Sequence, residues 1–340
     1  MLSRVAEAIY WMCRNVERAE NIARFIEVAH DFALDMPGEE HGQWAPLIAV
    51  TGDAPVFQER HGLATEESVV NFLVLSEDYP NSIARLITVA RENARSVRET
   101  IASEMWEQLN ELYQWFRRET RGGQPWHAPS DFYRAIMRES ALFGGITDAT
   151  MTRDQGWHFA NLGRQIERAD QISRLLDVKY FTLLPNPGDV NTPVDDLQWS
   201  ALLRSVSGLE MYRKLHHEVT VTEVVEFLVL NRRFPRAISH CLAEANRSLH
   251  AITGCPVGEF SNAAEQTLGR LCADLAFTDA KTIIGLGLHE YVDDLQRKLN
   301  AVGDGIFEAF FALRPISPSS QTQSQTLASG LTQSQSQTYA

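Results

Sequence analysis

The spacing of apolar positions reads as helix along almost the whole chain. Between Leu2 and about Leu34, Ile9, Met12, Val16, Ala19, Ile22, Ala23 and Ile26 recur every three or four residues with no Gly or Pro among them, which predicts one long helix ended by Pro37-Gly38. Helical patterns resume from Glu66 to Leu75 and from Pro80 to about Arg118, with Pro80 suited to a first helical turn. Arg121-Gly122-Gly123-Gln124-Pro125 then breaks the pattern. A second series begins near Asp131, with a long helix from about Thr152 to Leu183, a loop around Pro185 to Pro193, and further helices to about Ala312. Strand-like alternation is scarce, so the fold class is all-α.

The two series match each other. Arg14-Asn15-Val16-Glu17-Arg18-Ala19-Glu20-Asn21-Ile22-Ala23-Arg24 aligns without a gap on Arg164-Gln165-Ile166-Glu167-Arg168-Ala169-Asp170-Gln171-Ile172-Ser173-Arg174. After a shift of five residues, absorbed before Trp199, the match continues with Trp44, Leu47, Phe57 and His61 over Trp199, Leu202, Tyr212 and His216. Phe72-Leu73-Val74-Leu75 and Pro80 then fall on Phe227-Leu228-Val229-Leu230 and Pro235. The expectation is a duplicated helical bundle, with repeats over about 1–120 and 131–312. Each copy would supply a long Glu-Arg helix and a helical hairpin, and the two would pack about a pseudo-twofold axis.

Composition adds limits to that picture. The 340 residues, 44% of them hydrophobic, suffice for one large domain over 1–313. Residues 314–340, without a charged residue from Pro315 onward, are rich in Ser, Gln and Thr, which predicts a flexible tail. A net charge of -13 disfavours nucleic acid as a partner, because phosphate binding needs clustered surplus Lys and Arg. No apolar run is long enough for a membrane span and the first residues do not resemble a signal peptide, so a cytoplasmic location is expected. Cys13, Cys241, Cys255 and Cys272 lie far apart with no CxxC pair, which predicts reduced, individually buried thiols.

The candidate chemistry lies on the long helices. On a helical wheel Arg14, Glu17, Arg18, Asn21 and Arg24 form one polar stripe, and Arg164, Glu167, Arg168, Gln171 and Arg174 form its counterpart. Phe25 and Val28, with Leu175 and Val178, border the stripes, so other helices are expected to cover them. Covered charges must be paired. One reading is an ion-pair network that fixes the register of two helices, each Glu meeting an Arg of its own helix or of the other copy. A second uses the Arg excess to grip a carboxylate, phosphate or peptide terminus. A third makes Glu17 or Glu167 a catalytic general base, raised in pKa by burial. No cofactor is expected, since GxxxxGK[ST], strand-led GxGxxG and GxSxG motifs are all missing. No metal is expected either. Glu27 and His30 have Glu-x-x-His spacing, but the second copy offers Asp177 and Tyr180 instead, and His289-Glu290-Tyr291-Val292-Asp293 lacks a second His. Asp195-Asp196 and Asp293-Asp294 read as surface acid pairs, and the matched His61 and His216 as packing residues.

The two Glu-Arg helices resemble those of the bacterial alpha-E family, a helical domain defined by a conserved Glu-Arg motif. Ile9-Tyr10-Trp11-Met12-Cys13-Arg14 leads the first helix; Gly156-Trp157 through Leu162-Gly163-Arg164 leads the second. The resemblance covers the chain to about Leu313, and the motif residues it carries over are Glu17-Arg18 and Glu167-Arg168, flanked by Arg14 and Arg164. What the resemblance implies is a genetic association with a circularly permuted ATP-grasp ligase, and often with a transglutaminase-like protease, in peptide synthesis or modification. The expected function is therefore a non-catalytic helical partner of an ATP-grasp amide ligase that binds the peptide substrate or the ligase. The alternative is an enzyme acting on a peptide amide or acyl phosphate.

Overall fold

A computed structural model describes residues 1–35, 44–122, 129–182 and 193–312; the predicted tail, 314–340, and most of the loop from Pro185 to Pro193 lie outside the described residues. All regular structure among the described residues is helical. The first half runs α1 (Ser3–Asp35), α2 (Ala45–Thr51), α3 (Ala54–His61), α4 (Glu66–Val70), a π-helical turn (Asn71–Leu75), α5 (Ile83–Ser96), α6 (Ser103–Glu119) and α7 (Pro129–Thr150). The second runs α8 (Gln155–Thr182), α9 (Pro193–Ser205), α10 (Leu209–Arg213), α11 (Val221–Val225), a π-helical turn (Glu226–Leu230), α12 (Ile238–Thr253), α13 (Ala263–Ala276), α14 (Ala280–Leu286), α15 (Leu288–Ile306) and a closing π-helical turn (Phe307–Phe311). In that order α14 and the closing π-helical turn have no counterpart in the first half.

Helix α1 is about 50 Å long at 1.5 Å per residue. Its buried residues fall on every side, from Tyr10 and Met12 to Glu17, Asn21 and Ile26, so it is a central helix wrapped by others. It packs against α5, α7 and α8, while α8 packs against α1, α12 and α15. The contacts between α1 and α8 advance together along both helices, from Met1 with Gln155, through Arg14 and Arg18 with Glu167, to Phe25 beside Leu175. The two central helices therefore run parallel. Close approach is set at Gly163, where a Cβ would stand 2.4 Å from the Tyr10 carbonyl oxygen. The N-terminal half of α1 enters the larger apolar cluster with α8, and its C-terminal half enters a second cluster with α2 to α7. Glu17, Glu20 and Asn21 lie at the change-over.

Three expectations are corrected. Pro80 is in a turn rather than a first helical turn: Ser82 caps α5, accepting from the Arg85 N–H at 3.1 Å, and a break at 97–102 separates α5 from α6. Asp195 is buried in the first turn of α9, and of the acidic pair Asp196 faces solvent. Helix α7, assigned by its sequence position to the second series, packs on α1 and α6, helices of the first series. The π turns were invisible to periodicity, since a five-residue ring leaves no distinctive spacing of apolar residues. They reverse the chain into stacked aromatic pairs, Phe72 on Tyr79 and Phe227 on Phe234, and so deliver Asn81 and Arg236 to the central helices.

Candidate functional site

The Glu-Arg motifs of α1 and α8 exchange partners across the parallel interface. Arg18 donates from Nε to Glu167 Oε1 at 2.6 Å and from Nη2 to Oε2 at 2.7 Å. Arg168 repeats the two-point grip on Glu17, with Nε and Nη2 each at 2.7 Å. Such fork-to-fork pairs are the strongest geometry open to these groups. Each carboxylate also accepts from an amide four residues on, Glu17 from Asn21 at 3.3 Å and Glu167 from Gln171 at 2.9 Å.

The third guanidinium on each carboxylate breaks the symmetry. Arg14 donates to Glu167 at 2.9 Å, lying over the rings of Tyr10 and Trp11, whereas its counterpart Arg164 turns outward to Asp148 at 3.3 Å and to Asn161 at 3.1 Å. Glu17 takes its third from Arg236, which donates at 3.2 Å and also bonds Asn21 and Glu20. The position matching Arg236 is Asn81, which instead accepts from Arg18 at 2.7 Å and donates to Asp53, itself the acceptor of the Tyr79 hydroxyl. Arg24 and Arg174 each close on a carboxylate of their own helix, Glu20 and Asp170 respectively.

Both motif carboxylates are enclosed, Glu17 at 3% and Glu167 at 0% exposure. Burial by itself would raise their pKa values. The guanidinium groups of Arg168 and Arg236 around Glu17, and of Arg18 and Arg14 around Glu167, outweigh it and hold each at about 2. This corrects the expectation of a raised carboxyl: at neutral pH Glu17 and Glu167 are ionised and saturated with donors. Burial also pushes the thiols of Cys13 and Cys241 up to about 12 and keeps them neutral.

Sequence reading missed Glu20, Asp170, Arg236, Asn81 and Asp148 as members of this network. For Glu20 and Asp170 a signal was present, because each stands four residues before an Arg on its helix. Arg236 follows the matched Pro235, but nothing in the sequence alone says that its side chain turns inward. The remaining candidates lie elsewhere. Glu27 pairs with Arg134 at 2.6 Å, His30 stands 3.9 Å from Glu66, and His289 is 2.6 Å from Asp177. Asp293 and Asp294 engage Arg297 and Lys298 on the face of α15. His61 packs on Phe57 and Phe72, and His216 on Tyr212. The structure also gathers His250, Cys255 and Glu265 with their potential ligand atoms within 4.8 Å. Those atoms are engaged in clamping the loop after α12: His250 bonds the Cys255 carbonyl, and Glu265 accepts from Thr253 and from the Ser261 N–H.

A cleft of about 1550 Å³ opens between α1, α5 and the start of α6, with Arg18, Asn15 and Asn81 among its lining residues. No described helix is long and apolar enough to cross a membrane.

An uncharacterized protein of Mycobacterium bovis and two of Mycobacterium tuberculosis are similar to this chain, each 23% identical over 270 residues that cover 74% of the chain. The matched region makes up 30% of the length of each relative. No solved structure matches. The model of the Alpha-E family, described as a predicted alpha-helical domain with a conserved ER motif, matches residues 1–311. Both Glu-Arg pairs fall within that span, and the chain belongs to the alpha-E family.

Proposed function

We propose that this chain is a non-catalytic binding partner of an ATP-grasp amide ligase, holding a peptide or docking on the enzyme while the ligase performs the chemistry. The observation that supports this is the state of the motif itself. A general base needs a free lone pair and a pKa near the working pH, and Glu17 and Glu167 have neither. The Glu-Arg motif in this reading is the bolt that locks α1 to α8, and recognition belongs to the surfaces that the bolt positions. An ATP-grasp ligase activates a carboxylate as an acyl phosphate and then needs an amine held in line, which a binding subunit can do without chemistry of its own.

The test mixes the purified chain with an ATP-grasp amide ligase from the same genome and follows complex formation and ATP-dependent amide synthesis. The expected result is a complex, faster amide formation than by the ligase alone, and no nucleotide hydrolysis by the chain alone. Turnover of a peptide or acyl phosphate by the isolated chain, abolished by Glu17→Gln in a protein that still melts cooperatively, would establish the enzyme reading instead.

A further inference from the structure

A pocket of about 260 Å³ lies among α1, α7, α8 and the turn before α12, on the Glu17 side of the central network. Among the described residues, five guanidinium groups share three carboxylates there. Arg168 and Arg236 hold Glu17, Arg24 and Arg236 hold Glu20, and Arg164 and Arg153 hold Asp148. All of these but Arg153 line the pocket, so positive charge exceeds negative by two in a chain of net charge -13. Burial holds Arg236 below the ordinary guanidinium pKa, and the cations of Arg168 and Arg24 add to that against the pull of Glu20 and Glu17.

Two of the lining residues, Arg164 and Ser140, each carry a buried polar atom with no hydrogen-bond partner among the described residues. Arg14, Arg18, Arg24, Arg168 and Arg174 all place Nε on a buried carboxylate, at 2.6 to 3.0 Å. Arg164 does not: its Nη atoms reach the exposed Asp148 at 3.3 to 3.5 Å, and its Nε is unpaired. Ser140 is only 4% exposed, and its hydroxyl is the second unpaired group. Thr147 and Thr150 on the same helix satisfy their hydroxyls on the carbonyl four residues back, each at 2.8 Å; Ser140 makes no such bond. Buried donors without partners cost stability, and ligand oxygens beside them would recover it.

From this surplus of charge and of donors we infer that the α1–α7–α8 pocket binds a small phosphate group, free or as the monoester of a small molecule, with Arg164 and Ser140 as donors to it. A phosphomonoester carries about -1.5 to -2 at neutral pH, which matches two surplus guanidinium charges, whereas a carboxylate brings one. Guanidinium forks and hydroxyls suit its oxygens. The volume falls below the roughly 300–1,000 Å³ of pockets that enclose drug-sized molecules, so a nucleotide is too large for it. The lining residues Gly145 and Asp148 are exposed, and nothing stands within 4 Å of where a Gly145 side chain would begin, which leaves a way in. The inference goes beyond the ligase-partner reading and does not depend on it.

The experiment is isothermal titration calorimetry of the full chain with inorganic phosphate, glycerol phosphate, acetate and ADP at constant ionic strength. Inorganic phosphate or glycerol phosphate is expected to bind at least about tenfold more tightly than acetate or ADP, and the ratio between the first two tells free phosphate from a monoester. Ser140→Ala removes a hydroxyl that bonds nothing in the fold, so its melting temperature should stay or rise while phosphate affinity falls about tenfold. Arg164→Gln should weaken binding about tenfold or more, and Arg270→Gln, the same charge change at an exposed position of α13, less than about twofold. Gly145→Glu adds a carboxylate to the lining at a position with open space. It should abolish binding in a chain that still melts cooperatively, which keeps the test sharp should Arg164→Gln fail to fold. No binding of phosphate up to about 10 mM, acetate or ADP bound as tightly as phosphate, or unchanged affinity in a folded Ser140→Ala or Arg164→Gln overturns the proposal. The assay contains no ligase, so its failure is distinct from failure of the ligase-partner reading.

Discussion

Glu17 and Glu167 show how little the presence of a buried carboxylate says about its chemistry. In an apolar pocket either would be driven neutral and could serve as a proton carrier; ringed by Arg168 and Arg236, or by Arg18 and Arg14, each is held at about 2 against an ordinary 4.5. The sign follows for stability. A carboxyl whose folded pKa lies below its unfolded one stabilises the fold at pH above the unfolded value, and the contribution disappears as pH falls from about 5 towards 2. By linkage each carboxylate stabilises the fold at neutral pH. Thermal melts between pH 7 and 3 should therefore show a steep loss below about pH 5, and the Glu17→Gln, Glu167→Gln double variant should lose much of that steepness. An acid profile unchanged in the double variant would show that other carboxylates carry it.

Helices α1 and α8 depend on one small residue for their approach. Gly163 takes the position that Cys13 occupies in the first helix, and a methyl group there would stand 2.4 Å from backbone that cannot rotate away. Gly163→Ala should improve the intrinsic helix propensity of α8 by about 1 kcal/mol and still destabilise the protein, because separating the helices lengthens the bidentate bonds of Arg18 and Arg168. A melting temperature at or above that of the unaltered chain would contradict this placement of the interface. The helices themselves were legible in the sequence, since Ile9, Met12, Val16, Ala19, Ile22, Ala23 and Ile26 define a period without ambiguity. The stripes were legible too, and so was their being covered. Direction and register were not: a wheel places Glu17 and Arg18 on a face without telling which helix supplies the partner. The π turns, and with them the inward course of Arg236, arise from tertiary packing of Phe72 on Tyr79 and Phe227 on Phe234, which local periodicity does not encode.

At the scale of the molecule, two similar sets of helices meet at a charged centre and then diverge. Between α8 and α12 Asn161 bonds Ser248 and Gln165 bonds Asn161; between α1 and α5 a cleft opens, lined by Asn15 and Arg85. A fold that commits its Glu-Arg motif to holding two sets of helices together leaves its outer seams to differ. The central claim is that the exchanged Glu-Arg pairs are this structural bolt, and a double-mutant cycle on Glu17 and Arg168 tests it most directly. Urea unfolding would be measured for the unaltered chain, Glu17→Gln, Arg168→Met and the double variant. Each single change leaves a buried charge short of its partner and should cost about 3 to 5 kcal/mol. The double variant removes both charges together and should cost less than the sum, by about 2 kcal/mol or more. Single effects below about 1 kcal/mol, or effects that add within about 0.5 kcal/mol, would contradict the account.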